Sequence, residues 1–139
     1  MTFAHEFTVN FGAVDRAGII YYPRFFDFFH RTFEEWFDRG LGLPYSRLIT
    51  EDNVGFPTVR VETEFTKPVP YGERMRVDLE VVEIGRRSLT VGYTVTRLSD
   101  GEVAARATIT KVAVDQAKFT SIDIPAAWRE RFERFRRAV

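Results

Sequence analysis

Asn10-Phe11-Gly12-Ala13-Val14-Asp15-Arg16-Ala17-Gly18-Ile19-Ile20-Tyr21-Tyr22-Pro23-Arg24-Phe25 leads a glycine-bearing loop into a phenylalanine-rich segment. Pro23 is favoured at a first helical position, because its ring presets φ and its missing N–H has no helical partner there. From Pro23 to Arg39 the polar residues Arg24, Asp27, Arg31, Glu34, Glu35 and Asp38 fall mostly three or four apart, while Phe25, Phe26, Phe29, Phe33, Trp36 and Phe37 fill most of the rest. That spacing predicts an amphipathic helix with a broad apolar side. Gly40 and Gly42 offer left-handed backbone just past it, a local cause for termination near Arg39. Asp15 stands seven positions ahead of Tyr22, at the predicted helix start. A carboxylate opposite a helix N-terminus can attack or take a proton. Free backbone N–H groups, here those of Tyr22, Arg24 and Phe25, then stabilise negative charge developing on an oxygen. The competing reading is that Asp15 only starts a turn and accepts local backbone hydrogen bonds.

Outward from this stretch, strand patterns take over. His5 to Phe11 alternates, with Phe7, Val9 and Phe11 on one face. After an irregular segment from Leu41 to Gly55, four strand-like runs follow. Thr58 to Thr66 sets Val59, Val61, Thr63 and Phe65 against Arg60, Glu62 and Glu64, and Pro68 and Pro70 mark its end. The second alternates through Met75, Val77, Leu79 and Val81, and the third carries Leu89, Val91, Tyr93 and Val95 inward. Gly85-Arg86-Arg87 and Ser99-Asp100-Gly101 read as turns, and the last run, from about Glu102 to Val114, faces Val103, Ala105, Ala107 and Ile109 to one side. Those small residues leave room for the helix to lie across the sheet. The expected fold is α+β in one domain spanning residues 1–139: an antiparallel five-stranded sheet wrapped around one long central helix. Pro125 to Val139 reads as a short C-terminal helix with a stripe of Trp128, Phe132 and Phe135.

Composition removes several function classes. A chain of 139 residues, 45% hydrophobic, suits one compact core. Twenty basic and twenty acidic side chains cancel, so no long-range field favours nucleic acid or an anionic membrane as partner. The chain has no cysteine, which removes disulfides, thiolate metal sites and a Cys nucleophile and fits a cytoplasmic setting. No apolar run reaches spanning length, and Met1 to Glu6 lacks the blocks of a signal peptide, so an unexported protein is expected. His5 and His30, the two histidines, have no carboxylate cluster at ligand spacing, and both read as core or surface residues. Gly-x-Gly-x-x-Gly and Gly-x-Ser-x-Gly are absent.

Asp15-x-Ala17-Gly18-Ile19-x-Tyr21-Tyr22-x-x-Phe25 resembles the signature of the 4-hydroxybenzoyl-CoA thioesterase family of hotdog-fold proteins. From about His5 to Asp115 the chain is similar to that family in the order and length of its elements. The resemblance implies hydrolysis of an acyl-CoA with no cofactor or metal, in a homodimer or homotetramer with sites between subunits. It matches Asp15 to the catalytic aspartate and the Tyr22 backbone N–H to the carbonyl-polarising donor. Thioesters suit so sparse a site, because their carbonyl is electrophilic and the thiolate leaves without strong acid help. Attack by Asp15 to give a mixed anhydride and activation of a water both remain open. Gly18 serves either close passage of substrate and positive φ or an ordinary turn. Tyr21 and Tyr22 either line an acyl pocket or pack at the helix entry. Arg86 and Arg87 are the candidates for the CoA phosphates, against the reading of a solvated basic turn. Arg16 departs from the smaller residue that is easiest after Asp15. Another hotdog branch uses a helix glutamate, but Glu34 and Glu35 lie on the charged stripe. Two further readings keep the same fold: a non-catalytic acyl-thioester binding protein, and an acyl dehydratase, which needs a histidine-led catalytic pair absent from this sequence.

Overall fold

The alternating runs pair as expected into one antiparallel sheet. In the computed structural model, which describes residues 1–138, the elements are β1 (Phe3–Thr8), α1 (Arg24–Glu35), α2 (Tyr45–Thr50), β2 (Val54–Gly55), β3 (Thr58–Phe65), β4 (Arg74–Ile84), β5 (Ser88–Arg97), β6 (Val103–Val112), β7 (Val114–Asp115), β8 (Thr120–Ser121) and α3 (Ala126–Glu133). Five strands form the main sheet in the order β1-β4-β5-β6-β3, and β2, β7 and β8 form a small second sheet. Met75, Val77, Leu79 and Val81 of β4 and Leu89, Val91, Tyr93 and Val95 of β5 turn one buried face toward Phe25, Phe28, Phe29 and Phe33 of α1. Burying each such side chain contributes about 1.5–3 kcal/mol. This is the hotdog arrangement. No helix among the described residues is long and apolar enough to cross a membrane.

Four local departures from the sequence reading have physical causes. The long helix ends in a π-helical turn, Trp36–Gly40, where the Leu41 N–H reaches back to the Trp36 carbonyl at 2.8 Å. Gly42 has the left-handed backbone expected there, with φ +79°, whereas Gly40 is required by crowding: a Cβ would lie 2.6 Å from Trp36 Cδ1 and 3.2 Å from Phe3 Cδ1. β1 stops at Thr8, and the chain turns through Phe11–Ala13, so Phe11 is 76% exposed instead of sharing the buried face of Phe7 and Val9. In β6 the pairing slips between Ala105 opposite Val95 and Val103 opposite Thr96, so Ala104 is buried and Val103 is only half-buried.

The C-terminal stripe covers the π-helical turn that ends the long helix. Phe132 stacks on Trp36 at 5.4 Å and Trp128 packs against Phe37 at 5.2 Å. The helix is shorter than expected, since the chain leaves it to bond the edge of β4, Val81 N–H to the Phe135 carbonyl at 2.9 Å and Arg137 N–H to the Val81 carbonyl at 2.7 Å. Val139, the last residue of the expected helix, lies outside the described residues. β3 is the outer strand beyond β6, and nearly all of it is exposed.

Candidate active site

The loop ahead of α1 is a tight hairpin. Val14 bridges Ile20, the Asp15 N–H bonds the Ile19 carbonyl at 3.0 Å, and the Tyr21 N–H bonds the Ala13 carbonyl at 2.9 Å. At its tip the Gly18 N–H reaches the Asp15 carbonyl at 2.9 Å, and Asp15 Oδ1 accepts the Ala17 N–H at 2.9 Å. Gly18 has φ +78° with nothing within 4 Å of a built Cβ, so backbone conformation and not crowding selects glycine. The hairpin is tied to the chain entering β4, Ile20 N–H to the Val69 carbonyl and Tyr71 N–H to the Gly18 carbonyl, both at 2.9 Å. Asp15 therefore occupies a fixed turn, exposed, in a shallow crevice with Phe11, Val14, Arg16, Gly18 and Tyr71.

Of the three backbone donors expected at the helix start, two are engaged. The Arg24 N–H bonds the Tyr21 carbonyl at 2.8 Å and the Phe25 N–H bonds the Tyr22 carbonyl at 3.2 Å. The Tyr22 N–H has no acceptor among the described residues. Ala13 faces Tyr21 across the hairpin and Asp15 lies two residues further along. With a rise of about 3.3 Å per residue, this sets Asp15 and the Tyr22 amide roughly 7–10 Å apart. Within one chain they line different depressions: Tyr22 borders a groove with Ile19, Ile20, Phe25, Phe65 and Val69. Tyr21 and Tyr22 are both exposed and meet edge to face at 5.5 Å, and Tyr22 also meets Phe65 of β3 at 6.1 Å. Exposed aromatics thus run from the Asp15 crevice to the free sheet edge.

Arg86 and Arg87 sit elsewhere. They follow β4, whereas the Asp15 hairpin is stitched to the residues before it, and an 11-residue strand at about 3.3 Å per residue separates the two ends by roughly 35 Å. Both guanidinium groups donate to Asp123 Oδ1 at 3.0 Å, and Arg87 also reaches Ser121 Oγ at 3.2 Å. Those bonds, Arg87 first and Arg86 second, hold the Asp123 carboxyl below its ordinary range.

One polar group of the interior escaped the sequence reading. Lys111 is buried in β6, donating to Thr58 Oγ1 at 3.0 Å and the Phe56 carbonyl at 3.4 Å, with its ammonium 4.9 Å from the Phe33 ring centroid. Burial pushes its pKa below the usual lysine value. It lines a cavity of about 260 Å³ with Phe26, His30, Thr58, Val61 and Tyr93. The sequence signal was its register, since Lys111 continues the inward series Ala105, Ala107, Ile109. His30, read as a core or surface residue, stands at the wall of this cavity with Nε2 2.9 Å from Glu34 Oε1.

Residues 9–132 match the family model of the thioesterase-like superfamily. A 1,4-dihydroxy-2-naphthoyl-CoA hydrolase from Synechocystis is 23% identical over 128 residues, covering 92% of each chain. A solved thioesterase-superfamily structure from Jannaschia sp. CCS1 aligns with a TM-score of 0.90 at 25% identity, covering 99% of this chain and 94% of that one. A solved gentisyl-coenzyme A thioesterase aligns with a TM-score of 0.81 at 25% identity, covering 91% of this chain and 98% of that one. With the family match running from Val9 to Phe132, through the hairpin, the central helix and every strand of the main sheet but β1, the chain belongs to the thioesterase-like superfamily.

Proposed function

We propose that the chain hydrolyses an acyl-CoA to the free acid and CoA, with Asp15 as base or nucleophile and the Tyr22 N–H polarising the thioester carbonyl. The observation that carries this reading is the unpartnered Tyr22 N–H at the start of α1, beside the hairpin that fixes Asp15. The carbonyl oxygen accepts from that N–H, and the helix dipole adds to the stabilisation as the oxygen becomes negative. Either Asp15 takes a proton from an attacking water, or its carboxylate attacks the carbonyl and water then cleaves the anhydride. In both routes the C–S bond breaks and CoA leaves as thiolate; water attacks the acyl carbon in the first, and in the second it opens the anhydride, freeing the acid and returning Asp15 to its carboxylate. Within the superfamily, the Asp15 to Phe25 segment sides with the 4-hydroxybenzoyl-CoA branch, and the names of the relatives favour a hydroxylated aromatic acyl group.

The active unit is a homodimer joined along β3. A lone chain leaves the acid and the amide in separate depressions and an apolar strand bare, and a second copy laid on that edge closes both. Antiparallel pairing of two β3 edges sets the Phe65 end of one protomer against the Thr58 end of the other. Arg86 and Arg87 belong to the Thr58 end, since the Arg87 carbonyl accepts the Ala113 N–H and Pro57 bonds Val112. Any phosphate contact they make is to CoA bound at the other protomer's Asp15.

A second reading, a non-catalytic acyl-thioester binding protein, is favoured by one observation: Asp15 Oδ1 is engaged by the Ala17 N–H, as in an ordinary turn. Thiol release from a panel of short, long and aromatic acyl-CoAs, run beside calorimetric binding of the same compounds, separates the two. Release supports hydrolysis; tight binding without release supports the binder.

A further inference from the structure

Lys111 is the one charged residue of the buried core among the described residues. Its ammonium has three donors, two of which reach Thr58 Oγ1 and the Phe56 carbonyl, and no carboxylate neutralises it. Tyr93 stands at the same cavity, 2% exposed, and its hydroxyl makes no hydrogen bond among the described residues. A buried cation with a donor to spare and no carboxylate is costly unless something brings it an acceptor, and the Tyr93 hydroxyl opens onto the same cavity. Of the remaining walls Phe26, Val61 and Ile109 are apolar, and His30, half-exposed and paired with Glu34, closes the outer side. An apolar cavity of about 150 Å³ holds a benzene ring, so one of about 260 Å³ takes a substituted ring.

Position ties this cavity to the hydrolytic site. Phe26 and His30 lie four and eight residues beyond Tyr22, about 6 and 12 Å along the helix at 1.5 Å per residue. Tyr22 and Phe25 meet Phe65 of β3, and Phe26 and His30 face Val61 and Thr58 of the same strand. One seam between α1 and β3 therefore runs from the polarising amide to the buried ammonium.

We infer that this cavity receives the tail of the acyl group, and that Lys111 and Tyr93 together bind an anionic oxygen at its far end, a carboxylate or a phenolate. The inference rests on the proposed hydrolysis at Asp15 and adds to it a selectivity. Lys111 and Tyr93 donate to the tail oxygen, and the apolar walls hold the ring. An acyl group without that oxygen leaves the cation unmatched and is turned over less efficiently.

The test measures kcat/KM by thiol release for benzoyl-CoA, 4-hydroxybenzoyl-CoA and 4-carboxybenzoyl-CoA, using wild type, Lys111→Met, Tyr93→Phe and Asp15→Asn. Wild type is expected to favour one or both oxygen-bearing substrates over benzoyl-CoA by about 10- to 100-fold, the range for a hydrogen bond to a charged group. The better of the two identifies phenolate or carboxylate. Lys111→Met should lose about 10-fold or more on that substrate beyond whatever it loses on benzoyl-CoA, and Tyr93→Phe a smaller part of the same preference. Equal rates on all three in wild type, or a uniform loss in Lys111→Met, would overturn the inference and leave Lys111 a structural tie between β6 and β3. If Lys111→Met does not fold, the wild-type panel still decides. Turnover that survives Asp15→Asn overturns the role of Asp15 instead. If no substrate is turned over at all, calorimetric binding of the three compounds to wild type reads the same preference without hydrolysis.

Discussion

At the centre of the sheet, β4 seals Met75, Val77, Leu79 and Val81 against the helix, each with no exposed surface. At its edge, β3 carries the same alternation and leaves Val59, Val61 and Phe65 exposed at 62%, 43% and 44%. The strands differ in their neighbours. β4 has β1 on one side and β5 on the other, while β3 pairs only with β6 and offers a free row of backbone donors and acceptors. Alternation encodes two faces; it does not encode what lies beside the strand. A bare apolar edge that also contacts Tyr22 is the surface on which we propose that the second copy sits.

Substitutions can break or sharpen this contrast. The largest effect belongs to the sealed strand: Leu79→Ala should lower unfolding stability by about 2–5 kcal/mol, measured by urea denaturation. A loss near zero would mean that β4 is not packed as described. On the bare strand, Val59→Glu, at a position outside the Lys111 cavity, should convert the proposed dimer to single protomers in sedimentation velocity and reduce thiol release roughly 10- to 100-fold. An intact assembly at full activity would show that β3 is not the joint. Smaller is Gly18→Ala, where forcing an L residue into left-handed backbone should cost about 1–2 kcal/mol and lower turnover, because the hairpin that fixes Asp15 is strained. The smallest lies at the far end of the sheet. Asp123 is exposed and its carboxyl is held below the usual range by Arg87 and Arg86, so its contribution is full above the ordinary carboxylate pKa and is lost as pH falls through the folded value. Asp123→Asn should therefore narrow the stability difference between neutral and acid pH, read as urea midpoints.

Much of this architecture is legible in the chain. The three- and four-residue spacing from Pro23 onward locates α1, and alternation at Met75 to Val81 and Leu89 to Val95 orients β4 and β5, because local periodicity and burial agree there. What sequence reading misses depends on distant partners. Gly40 owes its identity to Phe3 and Phe135 as well as to its neighbour Trp36. The slip that exchanges Ala104 for Val103 is set by pairing with β5. The hairpin around Asp15 is hidden because Asp-Arg-Ala-Gly reads as loop, while its strands are one or two residues long. At the candidate site, motif spacing is what proposes Asp15 and Tyr22. That Tyr22 alone keeps a free N–H emerges only once the carbonyls of Tyr21 and Tyr22 are seen to hold Arg24 and Phe25. Lys111 carried a readable signal in its inward register, which a pattern search for small apolar residues passes over.

The account turns on the Asp15 carboxylate acting on a thioester held at the Tyr22 amide. Steady-state thiol release by Asp15→Asn, on protein whose urea midpoint and oligomeric mass match wild type, tests it most directly. The predicted result is a fall in kcat of about 100- to 10,000-fold. Turnover equal to wild type in that variant would contradict it.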